Sequence, residues 1–220
     1  VTSNWNPSGS AGVYNVHPVG VWYDASAGKH SIFNQDFATM SIGAAFNYRV
    51  EVATPRGPMI HTTTADNGIN NWTVIDHPLA NGKPNAVLQV TQNWNPNGVG
   101  GTYNNHNIGV WYDGARWAIF NQDLAQMPID AAFNVRVGLG YVHKATASNI
   151  IGHRTVLDNA QFNGKPGISI LVTPNWNPGG VGRVYDDHPI GVWYNGSKWE
   201  IFNQDLGAMP AGAAFNVTLN

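Results

Sequence analysis

The stretch Asn107–Asp123, NIGVWYDGARWAIFNQD, reads as a β-hairpin. Two runs rich in Val, Ile, Trp, Tyr and Phe flank an Asp113-Gly114 step, a dipeptide suited to tight turns because both residues tolerate positive φ. With Asp113 to Arg116 as the loop, Tyr112 faces Trp117. Stepping outward, Val110 lies opposite Ile119, Gly109 opposite Phe120, and His106 opposite Asp123. The same construction on Tyr194 and Trp199 pairs His188 with Asp205. On Tyr23 and His30, across a longer loop, it pairs His17 with Asp36.

Side chains alternate across a strand, so the hairpin sorts into two faces. Ile108, Val110, Tyr112, Trp117 and Ile119 share the face expected to be core. Trp111, Phe120 and Gln122 share the other with Gly109; their counterparts are Trp22, Phe33 and Gln35, then Trp193, Phe202 and Gln204. The residue opposite Trp111 is Ala118, but it is Ser31 and Glu200 in the other copies, which predicts that this second face sees water. Phe120 can cover the bare backbone of the strand glycine across from it. Trp111 has no such structural role, and a flat indole flanked by amides is a surface on which a sugar ring can stack. These nine Trp, Phe and Gln residues are the candidate ligand site; the alternatives are a second core against a neighbouring segment and self-association.

Outward from the hairpin, the whole chain is repetitive. NWNP occurs at Asn4–Pro7, Asn93–Pro96 and Asn175–Pro178. Each copy opens a segment A: Val1 to Val50, Val90 to Val137, and Val172 to about Leu219. Between them a segment B appears twice, from Met59 to Gln89 and from Tyr141 to Leu171, giving the order A-B-A-B-A. Trp94 and Trp176 are 82 residues apart, and Trp5 and Trp94 are 89 apart; the extra residues fall in Ala25–Lys29 and around Thr54–Pro58. This is the length of a small β-sandwich. The expected fold is all-β: tandem antiparallel β-sandwich-like repeats of about 82–89 residues, two and a half units in all. The expected division is an orphan A segment at 1–53 followed by B-A units at 54–137 and 138–220, or, permuted, 1–89, 90–171 and 172–220. The orphan is expected to leave an unfinished sheet edge.

Composition narrows the function. Charged residues make up 11% of the 220, the formal charge is −2 and the pI is near 6.4. No Lys/Arg cluster could track a phosphate backbone, so nucleic acid is not an expected partner. No apolar run approaches the roughly 18 residues of a membrane span, and no signal-like start is present, as in the mature form of a secreted protein. Zero cysteines exclude a disulfide scaffold and a thiolate metal site.

The recurring polar motifs read mainly as structure. The His–Asp pairs resemble dyads, but no Ser or Thr nucleophile recurs beside them, and they are expected to fix register at the open end of each hairpin. Glutamate occurs only at Glu51 and Glu200, so a glycosidase pair cannot be nominated and no catalytic residue is expected. Asp186 and Asp187 do not sit in a calcium-loop spacing. Convergence of the three His on one metal would need threefold symmetry, which the unequal spacing argues against, so neither metal nor cofactor is expected. NWNP reads as a strand end entering a turn. His61 and His143, with Thr64/Thr146 and Asp76/Asp158, recur in B, where packing and binding are both open. The expectation is a non-enzymatic carbohydrate-binding lectin or adhesin, extracellular or on a cell surface, with one weak glycan site per repeat and a tendency to self-associate. The alternative is a structural subunit of an extracellular fibre or surface assembly, in which a neighbouring chain completes the orphan repeat.

Overall fold

The computed structural model describes residues 1–54 and 57–219. The fold is all-β, and among the described residues the only helical pieces are single 3-10 turns at Pro7–Gly9, Pro96–Gly98 and Pro178–Gly180. The first A segment contains β1 (Thr2–Asn4), β2 (Val19–Asp24), β3 (Lys29–Asn34) and β4 (Phe46–Asn47). The first B segment supplies β5 (Met59–Thr62), β6 (Gly68–Ile69) and β7 (Trp72–Ile75). The second A segment, with the end of that B, forms β8 (Val87–Asn93), β9 (Ile108–Tyr112), β10 (Trp117–Asn121) and β11 (Ala132–Gly138). The second B segment gives β12 (Tyr141–Lys144), β13 (Ile150–Ile151) and β14 (Arg154–Leu157). The third A segment gives β15 (Ile170–Pro174), β16 (Ile190–Tyr194), β17 (Trp199–Asn203) and β18 (Ala214–Leu219).

The hairpin register is the one read from the alternation: Tyr112 faces Trp117, Val110 faces Ile119 and Gly109 faces Phe120, with matching pairs in β16–β17 and β2–β3. Each B segment pairs with the A segment that follows it, β7 on β10 and β5 on β11, then β14 on β17 and β12 on β18. A four-stranded layer, β6-β7-β10-β9, thereby faces β5, β11 and β8 across a sealed core of Ile75, Leu88, Val110, Trp117, Ile119 and Phe133. Leu157, Ile170, Val192, Trp199, Ile201 and Phe215 form the equivalent core of the third unit. At the bottom of each, an indole N–H donates to a B-segment carbonyl, Trp117 Nε1 to Lys83 O and Trp199 Nε1 to Lys165 O, both 2.9 Å.

Between units the strands run parallel, an arrangement the hairpin pattern does not announce. β2 pairs with β8, β9 bridges at Val110 to Asn175 beside β15, and β16 pairs with β1. The hairpin of each A segment therefore joins the opening strand of the next, and the third joins the first. The unequal spacing does not prevent this threefold cycle, because the extra residues of the first copy lie outside the inter-unit ladders. A second cycle closes around the axis: Thr2 Oγ1 accepts from Val172 N–H (2.9 Å), Thr173 Oγ1 from Val90 N–H (3.0 Å), and Thr91 Oγ1 from the Val1 amino group (2.6 Å).

A four-stranded hairpin layer plus the three-stranded layer of the next unit makes seven strands, and the second and third units supply that set. The other two sheets have six strands, ending at β4, and five, ending at β3. The three strands by which they fall short are those a B segment contributes. The consequence is a missing third core. Val21, Ile32 and Phe46, equivalents of the sealed Val110, Ile119 and Phe133, are only half-buried, and among the described residues no apolar side chain before Ile75 is fully buried. A fully buried residue of this size contributes about 1.5–3 kcal/mol, so the first segment depends on its neighbours in the ring.

Candidate functional site

NWNP is the joint of the ring. Its second Asn reaches sideways and completes the ladder of the preceding hairpin with its carboxamide, which presents one donor and one acceptor like a peptide group. Asn95 Oδ1 accepts from Tyr23 N–H (2.6 Å) and its Nδ2 donates to Tyr23 O (2.7 Å). Asn177 does the same to Tyr112 and Asn6 to Tyr194. The Trp before it donates its backbone N–H to the same hairpin, Trp94 to Val21 O, Trp176 to Val110 O and Trp5 to Val192 O. The first Asn binds an Asn on the last strand of its own segment: Asn4 to Asn47, Asn93 to Asn134 and Asn175 to Asn216. The Pro that follows opens the 3-10 turn, and Ser8, Asn97 and Gly179 within it take left-handed φ of 57–67°.

This joint sets the NWNP indole against the Trp/Phe face of the neighbouring hairpin. Where the first and second segments meet, Trp94 crosses Trp22 edge-on with centroids 6.3 Å apart, and Tyr103 meets Phe33 at 5.9 Å. Where the second and third meet, Trp176 crosses Trp111 at 6.0 Å and Tyr185 meets Phe120 at 5.9 Å. Trp5 and Trp193 at 6.0 Å, with Tyr14 and Phe202 at 5.9 Å, form the third junction. The six candidate Trp and Phe residues thus come together in pairs, each completed by a Trp and a Tyr outside the nine candidate residues. The signal for the missed residues was their recurrence: Trp5, Trp94 and Trp176, then Tyr14, Tyr103 and Tyr185, stand at the same place in every copy.

On the second and third hairpins the expectation that this face sees water is corrected. Ala118 and Glu200, opposite the Trp residues, are 0% and 1% exposed. B supplies the cover: Trp72 stacks edge-on against Trp111 at 5.5 Å, and at the equivalent position Arg154 lies 5.2 Å over Trp193 while pairing with Glu200 at 2.9 Å. Among the described residues the first hairpin has no B partner and no such cover. Phe120 and Phe202 lie over glycine, as the register implies; a Cβ on Gly109 or Gly191 would come within 2.8 and 2.9 Å of those rings.

The three Gln residues point inward. Gln35, Gln122 and Gln204 are 1, 4 and 3% exposed. Gln122 Oε1 accepts from Asp186 N–H and Gln204 Oε1 from Asn15 N–H, both 3.0 Å, while Gln35 Nε2 donates to Gln92 Oε1 at 3.1 Å. They tie one segment to the next beneath the aromatic layer.

Each His faces its Asp: His17–Asp36 at 2.5 Å, His106–Asp123 at 2.6 Å and His188–Asp205 at 2.7 Å, all from Nδ1 to Oδ2. The other carboxylate oxygen caps the following turn by accepting from Ala38, Ala125 or Gly207 N–H. The residues inside those turns, Phe37, Leu124 and Leu206, hold left-handed φ of 63–65°. The three His line a common axial cavity of about 90 Å³, with each Nδ1 committed to its own Asp. Among the described residues no three His, Asp or Glu gather as a metal site. In B, His61 and His143 are buried with Nε2 2.8 Å from Thr73 and Thr155 Oγ1, and burial lowers both imidazoles to about 4.

At the junction of the second and third segments the aromatic layer opens into a cleft of about 150 Å³, lined by Asn71, Trp72, Trp111, Phe120, Trp176 and Tyr185. Asn71 Nδ2 donates to Asn121 O at 3.2 Å, which fixes its carboxamide at the cleft. Tyr185 stands half-exposed over it.

A ring of β-sandwich units joined through aromatic contacts is the architecture these observations define. Sequence comparison places the chain in a family described as Domain of unknown function (DUF7452), matched over residues 1–52, 24–137 and 138–219, and the chain belongs to that family. No curated protein and no solved structure matches it.

Proposed function

We propose that the protein is a non-enzymatic, carbohydrate-binding module of the lectin or adhesin class, acting at a cell surface or outside the cell. The observation that carries this reading is the cleft between Trp111 and Trp176. Its walls are aromatic, its one amide, Asn71, is held in place, and Tyr185 offers a phenol to a hydroxyl. A pyranose has one apolar face and a rim of hydroxyls, and such a site matches both. The equivalent junctions lack Trp72, since Arg154 stands in its place in one and no B segment covers the other, so they are weaker seats. The acidic side chains fit a binding role better than a catalytic one: Glu200 is buried against Arg154 and Glu51 pairs with Arg49 and Arg136.

The test is a glycan panel followed by tryptophan fluorescence and calorimetry on the wild-type chain and on Tyr185→Ala. Tyr185 is exposed enough for its truncation to leave the ring intact. Saturable binding of one glycan class, weakened at least fivefold by Tyr185→Ala, supports the proposal; no response across the panel sinks it. The second reading, a subunit of a surface assembly, draws on the incomplete first unit.

A further inference from the structure

We infer that the open face of the first A segment is a docking site for a B-type segment from outside these 220 residues. The shape of the occupant is defined twice within the chain. In the second and third units a B segment adds one strand to the outer edge of the last A strand, adds two beyond the hairpin, and closes the core between them. On the first segment, among the described residues, both receiving edges are free: β4 ends one sheet and β3 ends another. The apolar positions that B covers elsewhere are present, as Val21, Ile32, Met40 and Phe46. Downstream of β4, Tyr48 is 59% exposed, whereas its equivalents Val135 and Val217 are sealed in the cores of the second and third units.

An independent observation comes from the second unit. Asn47 Nδ2 donates to Ile170 O (2.9 Å) and Asn216 Nδ2 to Leu88 O (3.0 Å), each time binding the stretch through which a B segment enters the next A. Asn134, the third member of this cycle, is exposed and meets no such carbonyl among the described residues. A B-type segment seated on the first A segment would bring that backbone to it.

Both B segments of these 220 residues are already seated, on the second and third A segments, and those of a second copy are seated alike. The occupant is a B-type segment from outside these 220 residues, adding strands to an exposed edge as in other strand-addition complexes. His30 stands where Trp117 and Trp199 donate to a B carbonyl, so the first face is less apolar and its docking weaker and reversible.

Two arms test this, both in the full chain and both read by amide hydrogen exchange of β3 and β4. In one, a synthetic peptide of Tyr141–Leu171 is added. In the other, residues 138–171 are fused directly ahead of Val1, repeating the Leu171–Val172 junction and raising the local concentration. At least tenfold slower exchange in β3 and β4, removed by Ile32→Asp while β10 and β17 stay unchanged, supports the inference. Unchanged exchange in the fusion overturns it. A dimer of the unmodified chain that buries β3 also overturns it, because the occupant would then be a second copy.

Discussion

Asn177 grips Tyr112 at both ends of its peptide unit, taking its N–H and giving to its carbonyl at 2.7 Å each, across 65 residues of sequence. Asn6 holds Tyr194 the same way over 188 residues and closes the ring. Replacing either Asn by Ala leaves a buried N–H and C=O without partners, each costing about 1–3 kcal/mol. Asn177→Ala and Asn6→Ala should each lower stability by about 2–4 kcal/mol in urea unfolding, and Asn6→Ala should also speed amide exchange in β1.

Asp186 occupies the position of Asn15 and Asn104. Burial pushes its carboxyl up to about 6, against a stabilising bond from Asn203 Nδ2. A pKa raised on folding stabilises most below the unfolded value of 3.8, and that contribution is lost as pH rises through about 6. Asp186→Asn restores the amide pair that Asn15 makes with Asn34 and Asn104 with Asn121. It should raise stability by about 2–3 kcal/mol at pH 7.5, and the gain should vanish below pH 4.

His61 and His143 titrate with the opposite consequence. Their folded values near 4 lie below the unfolded 6.5, so stability is full above pH 6.5 and falls as pH drops from there towards 4. The loss reaches about 3 kcal/mol per histidine. Unfolding midpoints between pH 7 and 4 should decline by this route, with a shallower slope in His143→Gln.

Trp117 and His30 hold equivalent places on closed and open units. Trp117→Ala empties a sealed site and removes the donor to Lys83 O, at a cost of about 3–5 kcal/mol. His30→Ala acts on an exposed side chain and should change stability by less than about 0.5 kcal/mol. Equal effects would show that the first hairpin is sealed as well.

The hairpins were legible because their determinants are local. Alternation and the Asp113-Gly114 turn fix which residue faces Trp117, and the His106–Asp123 contact follows from that register. The junctions were not. Nothing in the period of β16 announces a parallel partner at Thr2–Asn4, and Asn6, read as a turn residue, turns out to bond a strand 188 positions away. Gln122 shares its strand parity with Trp111, yet the neighbouring segment covers it, because a residue's face does not reveal what the next unit lays over it. Recurrence was the usable signal: the Trp and second Asn of NWNP, and Gln122 with its counterparts, are kept in all three copies and bind across copies.

Amide hydrogen exchange of the unmodified chain, resolved by residue, tests most directly the claim of a closed ring with two sealed units and one open one. The account predicts that β10 and β17 exchange only through global unfolding. β3, with the same hairpin register but a free outer edge, should exchange at least a hundredfold faster. Equal protection of β3, β10 and β17 would contradict the open first unit and, with it, the docking face built upon it.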